Sequence, residues 1–176
     1  MNRPQESIVG VALTQLGVHE TSNNQGPGIE KYWSATTYPE GYADRAPWCA
    51  AYGCWVLRKA MFKNPLLALT EDNRPKSASV QEWLSWARKP DTPARLIYYP
   101  DGAYGGDTPL PGDVLVLFPV VSHLAIVSGF TVSGQMLSTI EGNTNDDGSR
   151  EGRECMKRQR RLDPRFGIIR IAARAI

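Results

Sequence analysis

The hydrophobic period of the chain changes at Pro90, and few architectures accommodate that change. Before it, apolar residues recur at helical spacing: Ile8, Val9, Val11, Ala12, Leu13 and Leu16 in one stretch, Val80, Trp83, Leu84 and Ala87 in another. After it, Pro, Gly and Asp separate short apolar runs, which is the punctuation of strands and turns. Helices are expected over 5–16 (ended by Gly17), 29–33, the stretch from Pro47 to about Phe62, and 80–87 with Ser77 or Ser79 as cap. Strands are expected over 94–99, 114–118, 123–129, 135–143, 153–161 and 166–171, with an extended loop over 100–111. Helices first and strands after them predict an α+β fold with an antiparallel sheet. A length of 176 residues fits one domain spanning 1–176, large enough to bury a real core.

Within the helical half, one stretch carries chemistry: Asp44-Arg45-Ala46-Pro47-Trp48-Cys49-Ala50-Ala51-Tyr52. Pro47 is tolerated in a first helical turn, where its missing N–H has no intrahelical partner. Asp44 lies just upstream, where a carboxylate accepts bonds from free backbone donors. Cys49 would then sit at the positive end of the helix dipole among unpaired N–H groups, which favours the attacking thiolate. The competing reading is a small buried cysteine that packs a helix. Cys54, five residues on and about 140° round the helix, faces elsewhere and is read as core. Cys155 falls on a polar strand and is expected to be partly exposed, with no assigned partner.

Three cysteines without a C-x-x-C spacing leave no disulfide framework and no redox motif. The formal net charge of +2 is too small to indicate nucleic acid. The basic run Lys157, Arg158, Arg160, Arg161 and Arg165 is read as a solvated strand face. Polar residues and glycine interrupt the N-terminal apolar positions, so no secretory signal is read there. No apolar run is long enough to cross a membrane. Synthesis in the cytoplasm is expected. With only His19 and His123 present, a histidine-rich metal site is excluded and a general base has few candidates. His19, in a glycine-flanked loop, is read as structural.

His123 opens an apolar strand directly after a loop. If 123–129 and 135–143 pair as a hairpin through 131–134, the start of one strand lies opposite the end of the other. That places His123 near Glu141 or Asn143, which are two apart and share a face of an extended chain. A thiol, an imidazole and a polar group that orients the ring make a nucleophilic site. The loop-forming residues 142–147 offer a plainer reading, a turn.

Four motifs occur in order: Pro47-Trp48-Cys49-Ala50-Ala51-Tyr52, Pro111-Gly112-Asp113-Val114-Leu115-Val116-Leu117, Ser122-His123-Leu124-Ala125-Ile126-Val127 and Ile140-Glu141-Gly142-Asn143-Thr144. Together they resemble the CHAP domain, the cysteine, histidine-dependent amidohydrolases/peptidases related to NlpC-type and papain-like enzymes. The likeness extends to 15–20, to the Asn23/Asn24/Gly28 loop and to 79–86. It implies a papain-like α+β fold whose nucleophile-bearing helix packs on a C-terminal antiparallel sheet. It also implies cleavage of an amide bond in bacterial peptidoglycan, between sugar and peptide or within the peptide. Carried onto this sequence, it makes Cys49 the nucleophile, His123 the base, Glu141 the orienter of His123, and Asn143 a polar support or an alternative third member. Ser122 stands where members often have glycine, and 90–110 is longer than the pattern suggests. No cofactor is implied. Some relatives hold calcium through aspartates upstream of the cysteine; only Glu40 and Asp44 lie there, too few for an oxygen-ligated ion, so no metal is expected.

The resulting expectation is a monomeric lysin or antibacterial effector. It would reach periplasm or wall through holin-type release or a secretion machine, in the latter case with an immunity protein. The alternatives are a non-catalytic wall-binding module and a thiol deamidase or acyltransferase on another substrate, since fold does not fix substrate.

Overall fold

A computed structural model describes residues 3–98, 107–118, 120, 122–133, 135–144 and 152–175. Among the described residues, four α-helices, α1 (Glu6–Leu13), α2 (Glu30–Trp33), α3 (Cys49–Lys63) and α4 (Val80–Ala87), precede six strands. These are β1 (Ala94–Tyr98), β2 (Val114–Val116), β3 (Leu124–Thr131), β4 (Met136–Thr144), β5 (Glu154–Arg161) and β6 (Gly167–Ile171). The strands form one curled antiparallel sheet in the order β1-β6-β2-β3-β4-β5. The change of period at Pro90 is therefore the boundary between a helical layer and a sheet.

Alternation along the strands divides the sheet's side chains between two cores. Leu96, Val114, Val116, Leu124, Ile126, Ile140, Ile169 and Ile171 join the helices in the larger core. Ile97, Leu115, Leu117, Ala125, Val127, Leu137, Phe166 and Ile168 form a second cluster on the other face. On the helical side Val80, Trp83, Leu84 and Ala87 of α4 are all buried, as their spacing requires. The basic face of β5 does not extend to Cys155. It is 1% exposed in the larger core, because Gly17 and Val18 lie along the strand there. Gly17 N–H donates to Cys155 O at 3.0 Å, and Cys155 N–H donates to Val18 O at 2.8 Å.

Several boundaries differ from the sequence expectation, each for a local reason. α1 stops at Leu13 because the next N–H groups reach back three residues rather than four, and the Thr14 hydroxyl donates to Val11 O at 2.6 Å. Gly17 then turns the chain at φ 81°. α3 begins at Cys49 itself, with Trp48 in the capping position, so Pro47 lies just before the helix. Asp44 does not reach that terminus; its carboxylate accepts from the Tyr38 hydroxyl. Pro39–Tyr42, outside the expected helices, is a short 3-10 turn entered through its proline. Ser79 occupies the α4 capping position without a side-chain bond, while the Ser77 hydroxyl accepts from Ser79 N–H at 3.0 Å. Most of the expected 100–111 loop, residues 100–106, lies outside the described residues.

Two contacts set the height of α3 on the sheet. Gly53 faces Leu124 and Trp83, and Gly142 of β4 faces the rings of Tyr52 and Trp48. A Cβ on Gly142 would stand 2.6 Å from Tyr52 Cγ and 2.8 Å from Trp48 Cζ3, both inside van der Waals contact. Gly142→Ala is therefore expected to destabilise the protein by about 1–3 kcal/mol through overpacking. Urea denaturation measures this, and an unchanged midpoint would mean that α3 is free to lift.

Candidate active site

Cys49 is the first residue of α3 and is 4% exposed. Trp48, immediately before it, is held at three points. Its indole stacks on Tyr32 with ring centroids 5.4 Å apart. Its ring N–H donates to Glu20 Oε1 at 2.8 Å. Its backbone N–H donates to the Asn143 side-chain oxygen at 3.1 Å. A cysteine that begins a helix on so fixed a neighbour has little freedom of position.

His123 precedes β3 and is buried. The hairpin register Ala125↔Glu141, Ile126↔Ile140 and Thr131↔Met136 brings the start of β3 to the end of β4. Glu141 Oε2 lies 2.8 Å from His123 Nε2. The imidazole also interacts with the Cys49 side chain, which favours its charged form. The Ser122 carbonyl is 4.0 Å from the same sulfur, and the Ser122 side chain is exposed. Cys49, His123 and Glu141 thus form a continuous chain of contacts from helix to sheet.

Asn143 is close in sequence but does a different job. The β4–β5 ladder is irregular between Glu141 and Thr144, and Asn143 adopts a left-handed conformation at φ 57°. That breaks the two-residue alternation which would have put its side chain beside Glu141's. Its amide instead turns to α3, accepting from Trp48 N–H and donating to Gly152 O. The orienting contact on His123 belongs to Glu141, while Asn143 anchors the residue before the thiol.

Glu141 is fully buried. Its carboxylate accepts from the Thr139 hydroxyl at 2.6 Å, from Arg160 Nε at 2.6 Å on Oε1, and from Arg160 Nη2 at 2.6 Å on Oε2. Burial works against its charge, but bonds from Arg160 and His123 overcome this and hold the carboxyl far below its ordinary 4.5. Burial also works against a charged His123, yet its bonds to Cys49 and Glu141 raise it from 6.5 to about 9. Arg160 was read from the sequence as part of a solvated run. On β5 it is instead turned toward Glu141, whereas Lys157 and Arg161 are exposed.

The other candidates lie apart from this chain of contacts. Cys54 is fully buried with its thiol 3.4 Å from Ser77 O, and burial pushes it up to about 12. Cys155 lies 3.6 Å from the Tyr32 hydroxyl, and burial likewise pushes it up to about 12. His19 is exposed, with Nδ1 3.0 Å from Gly17 O. Glu40 and Asp44 gather no further ligands: among the described residues no three His, Cys, Asp or Glu side chains cluster as a metal site. A polar cavity of about 300 Å³, lined by Glu20, Asn24, Gly152 and Arg153 among others, shares Glu20 with the Trp48 anchor and Gly152 with the Asn143 anchor. Comparisons of the chain with models of known protein families, with curated proteins and with solved structures give no match.

Two expectations follow from the geometry. An alkylating reagent at neutral pH is expected to modify Cys49 ahead of Cys54 and Cys155, whose burial holds them as thiols; peptide mapping by mass spectrometry reads the order. Preferential labelling of Cys155 would contradict the placement. The second expectation concerns stability against pH. His123, raised in the fold, contributes stability fully present below 6.5 and lost as pH rises through about 9. Glu141, depressed in the fold, contributes stability present above 4.5 and lost as pH falls below it. Urea midpoints are therefore expected to be highest between about pH 4.5 and 6.5, with the alkaline decline flattened in Glu141→Gln.

Proposed function

We propose that this chain is a thiol hydrolase of papain-like, CHAP-type architecture that cuts an amide bond in bacterial peptidoglycan. The observation that supports it best is a buried imidazole bonded at 2.8 Å to the Glu141 carboxylate and interacting with the Cys49 side chain. Packing of the cysteine-bearing helix on an antiparallel sheet, with the imidazole supplied from the strand side, also supports it.

The chemistry proceeds in two halves. The Cys49 thiolate attacks the amide carbonyl carbon, forming a carbon–sulfur bond and placing negative charge on the carbonyl oxygen. N–H groups of the first turn of α3, which lack intrahelical partners, would stabilise such an oxyanion. The His123 imidazolium gives its proton to the amine nitrogen, the carbon–nitrogen bond breaks, and the amine leaves. Water then attacks the thioester as His123 takes its proton; the carbon–sulfur bond breaks, the acid departs and the thiolate returns. Glu141 keeps one ring nitrogen engaged throughout, so that the other faces the sulfur. Glycan or peptide beyond the scissile bond would extend along the polar cavity lined by Glu20, Asn24 and Arg153.

Intact Cys49, His123 and Glu141 argue against a non-catalytic wall-binding module. A deamidase or acyltransferase would use the same three residues on another amide or ester. An enzyme of this kind would serve as a lysin released through a membrane lesion or as a delivered antibacterial effector, the latter with an immunity protein.

The test is digestion of purified sacculi followed by mass spectrometry of the fragments. Wild-type protein is expected to release new free amines, and Cys49→Ala none, with circular dichroism showing that the variant is folded. Lysis by Cys49→Ala at the wild-type rate would sink the mechanism, and intact sacculi with hydrolysis of another amide would move the substrate elsewhere. Glu141→Gln is expected to lose on the order of 10–10⁴-fold in initial rate, as other changes to a ring-orienting carboxylate do. Asn143→Ala should act mainly through stability, because its contacts are to the Trp48 and Gly152 backbone.

A further inference from the structure

We infer that Arg160 is a positioning residue for the proposed hydrolase: its two-point clamp fixes the Glu141 carboxylate as an anion facing His123. The inference rests on the reading of Cys49, His123 and Glu141 as the working site, and goes beyond it by adding a fourth side chain that touches neither substrate nor sulfur.

The geometry carries it. Glu141 lies on a strand face among the second core's apolar residues, Ala125, Val127 and Leu137, which offer it no hydrogen bonds. A carboxylate buried there without donors takes up a proton rather than remain charged. Among the described residues three groups bond it: His123 from the start of β3, Thr139 from its own strand, and Arg160 from β5. Among the described residues, Tyr52 and Cys49 of α3 also act on the pair, Tyr52 with Glu141 and Cys49 with His123, and Arg158 shares this face of β5 opposite Thr139. Of His123, Thr139 and Arg160, the groups bonded to the carboxylate, Arg160 alone carries a charge that does not depend on the reaction. His123 gains and loses its proton in each cycle, so for half the cycle it cannot hold Glu141 ionised by charge.

Both oxygens are engaged by the guanidinium, Nε on Oε1 and Nη2 on Oε2, each at 2.6 Å. A planar fork on a planar carboxylate fixes the carboxylate's rotation as well as its charge. With Oε1 also bonded by Thr139, the remaining lone pair of Oε2 is directed at His123 Nε2. An unclamped Glu141 would be free to rotate or to neutralise, and the ring would lose the partner that sets which nitrogen faces Cys49. Register explains why Arg160 can reach. Met156 pairs with Glu141 and Arg160 with Leu137, so Arg160 shares the face of Leu137, Thr139 and Glu141.

The experiment compares wild type, Arg160→Gln and Arg160→Lys by carbon-13 titration of the Glu141 carboxyl, assigned through its loss in Glu141→Gln. This needs no substrate, so it stands apart from whether peptidoglycan is the target. Initial rates on one peptidoglycan fragment provide the second readout. In Arg160→Gln the Glu141 titration is expected to move up to its ordinary 4.5 or above, with a rate lower by about ten- to a hundredfold, the range that outer partners of a working imidazole carry. Arg160→Lys, a point charge without the fork, is expected to recover the titration in large part and the rate only in part. A Glu141 titration in Arg160→Gln that stays at the wild-type position overturns the inference, whatever happens to thermal stability. If Arg160→Gln does not fold, Arg160→Lys decides, and a folded Lys variant with wild-type titration and wild-type rate also overturns it. Absence of hydrolysis by wild type, with the titration shifted as expected, would leave the clamp standing and remove the proposed substrate.

Discussion

The interaction on which this molecule depends is a carboxylate kept charged with no access to water. Ionised groups are rarely buried unless nearly every lone pair has a donor, because desolvation costs several kcal/mol per ion in real proteins. Glu141 meets that condition with donors drawn from three adjacent strands or strand ends, β3, β4 and β5. The requirement fixes register. Slipping the β3 or β5 side by one residue against β4 would send His123 or Arg160 to the opposite face and leave the charge unmatched. Burying this one group therefore specifies the pairing of half the sheet.

A second consequence lies two residues further along β4. Continued alternation would have set Glu141 and Asn143 side by side, both competing for His123. The left-handed conformation at Asn143 separates them, giving one to the imidazole and the other to the backbone before Cys49. Gly142 between them allows Trp48 and Tyr52 to approach the strand. Three consecutive residues thus tie together the ring, the helix and the helix's entry, and position imidazole and sulfur relative to the same few atoms of backbone.

Much of this was legible in the sequence, for reasons of different strength. The change of period at Pro90 conveys the order of helices and strands, because amphipathic spacing survives without knowledge of tertiary contacts. The hairpin joining β3 to β4 followed from the spacing of two apolar runs, and with it the approach of His123 to Glu141 or Asn143. What could not be read were contacts that depend on a local exception or on a third strand. Nothing in Glu141-Gly142-Asn143 announces a positive φ at Asn143. Arg160 looked like one of five basic residues until β5 was placed beside β4, although a lone carboxylate on an apolar strand is itself a signal that a cation must come from somewhere. Cys155 looked exposed because its neighbours are charged; the residues that cover it, Gly17 and Val18, belong to a segment nearly 140 positions earlier in the chain.

That early segment has an effect beyond covering a thiol. β5 is the last strand of the sheet, and an outermost strand offers unpaired backbone groups to any other chain that meets it. Here Gly17, Val18 and Glu20 take up the backbone groups of Arg153 and Cys155. Farther along, the strand presents Lys157 and Arg161 to solvent. A second copy approaching edge to edge would meet an occupied ladder at one end and its own charges repeated at the other. The loop that follows the first helix, together with the basic side chains left over from the site, thus protects this edge of the sheet against pairing with a second copy.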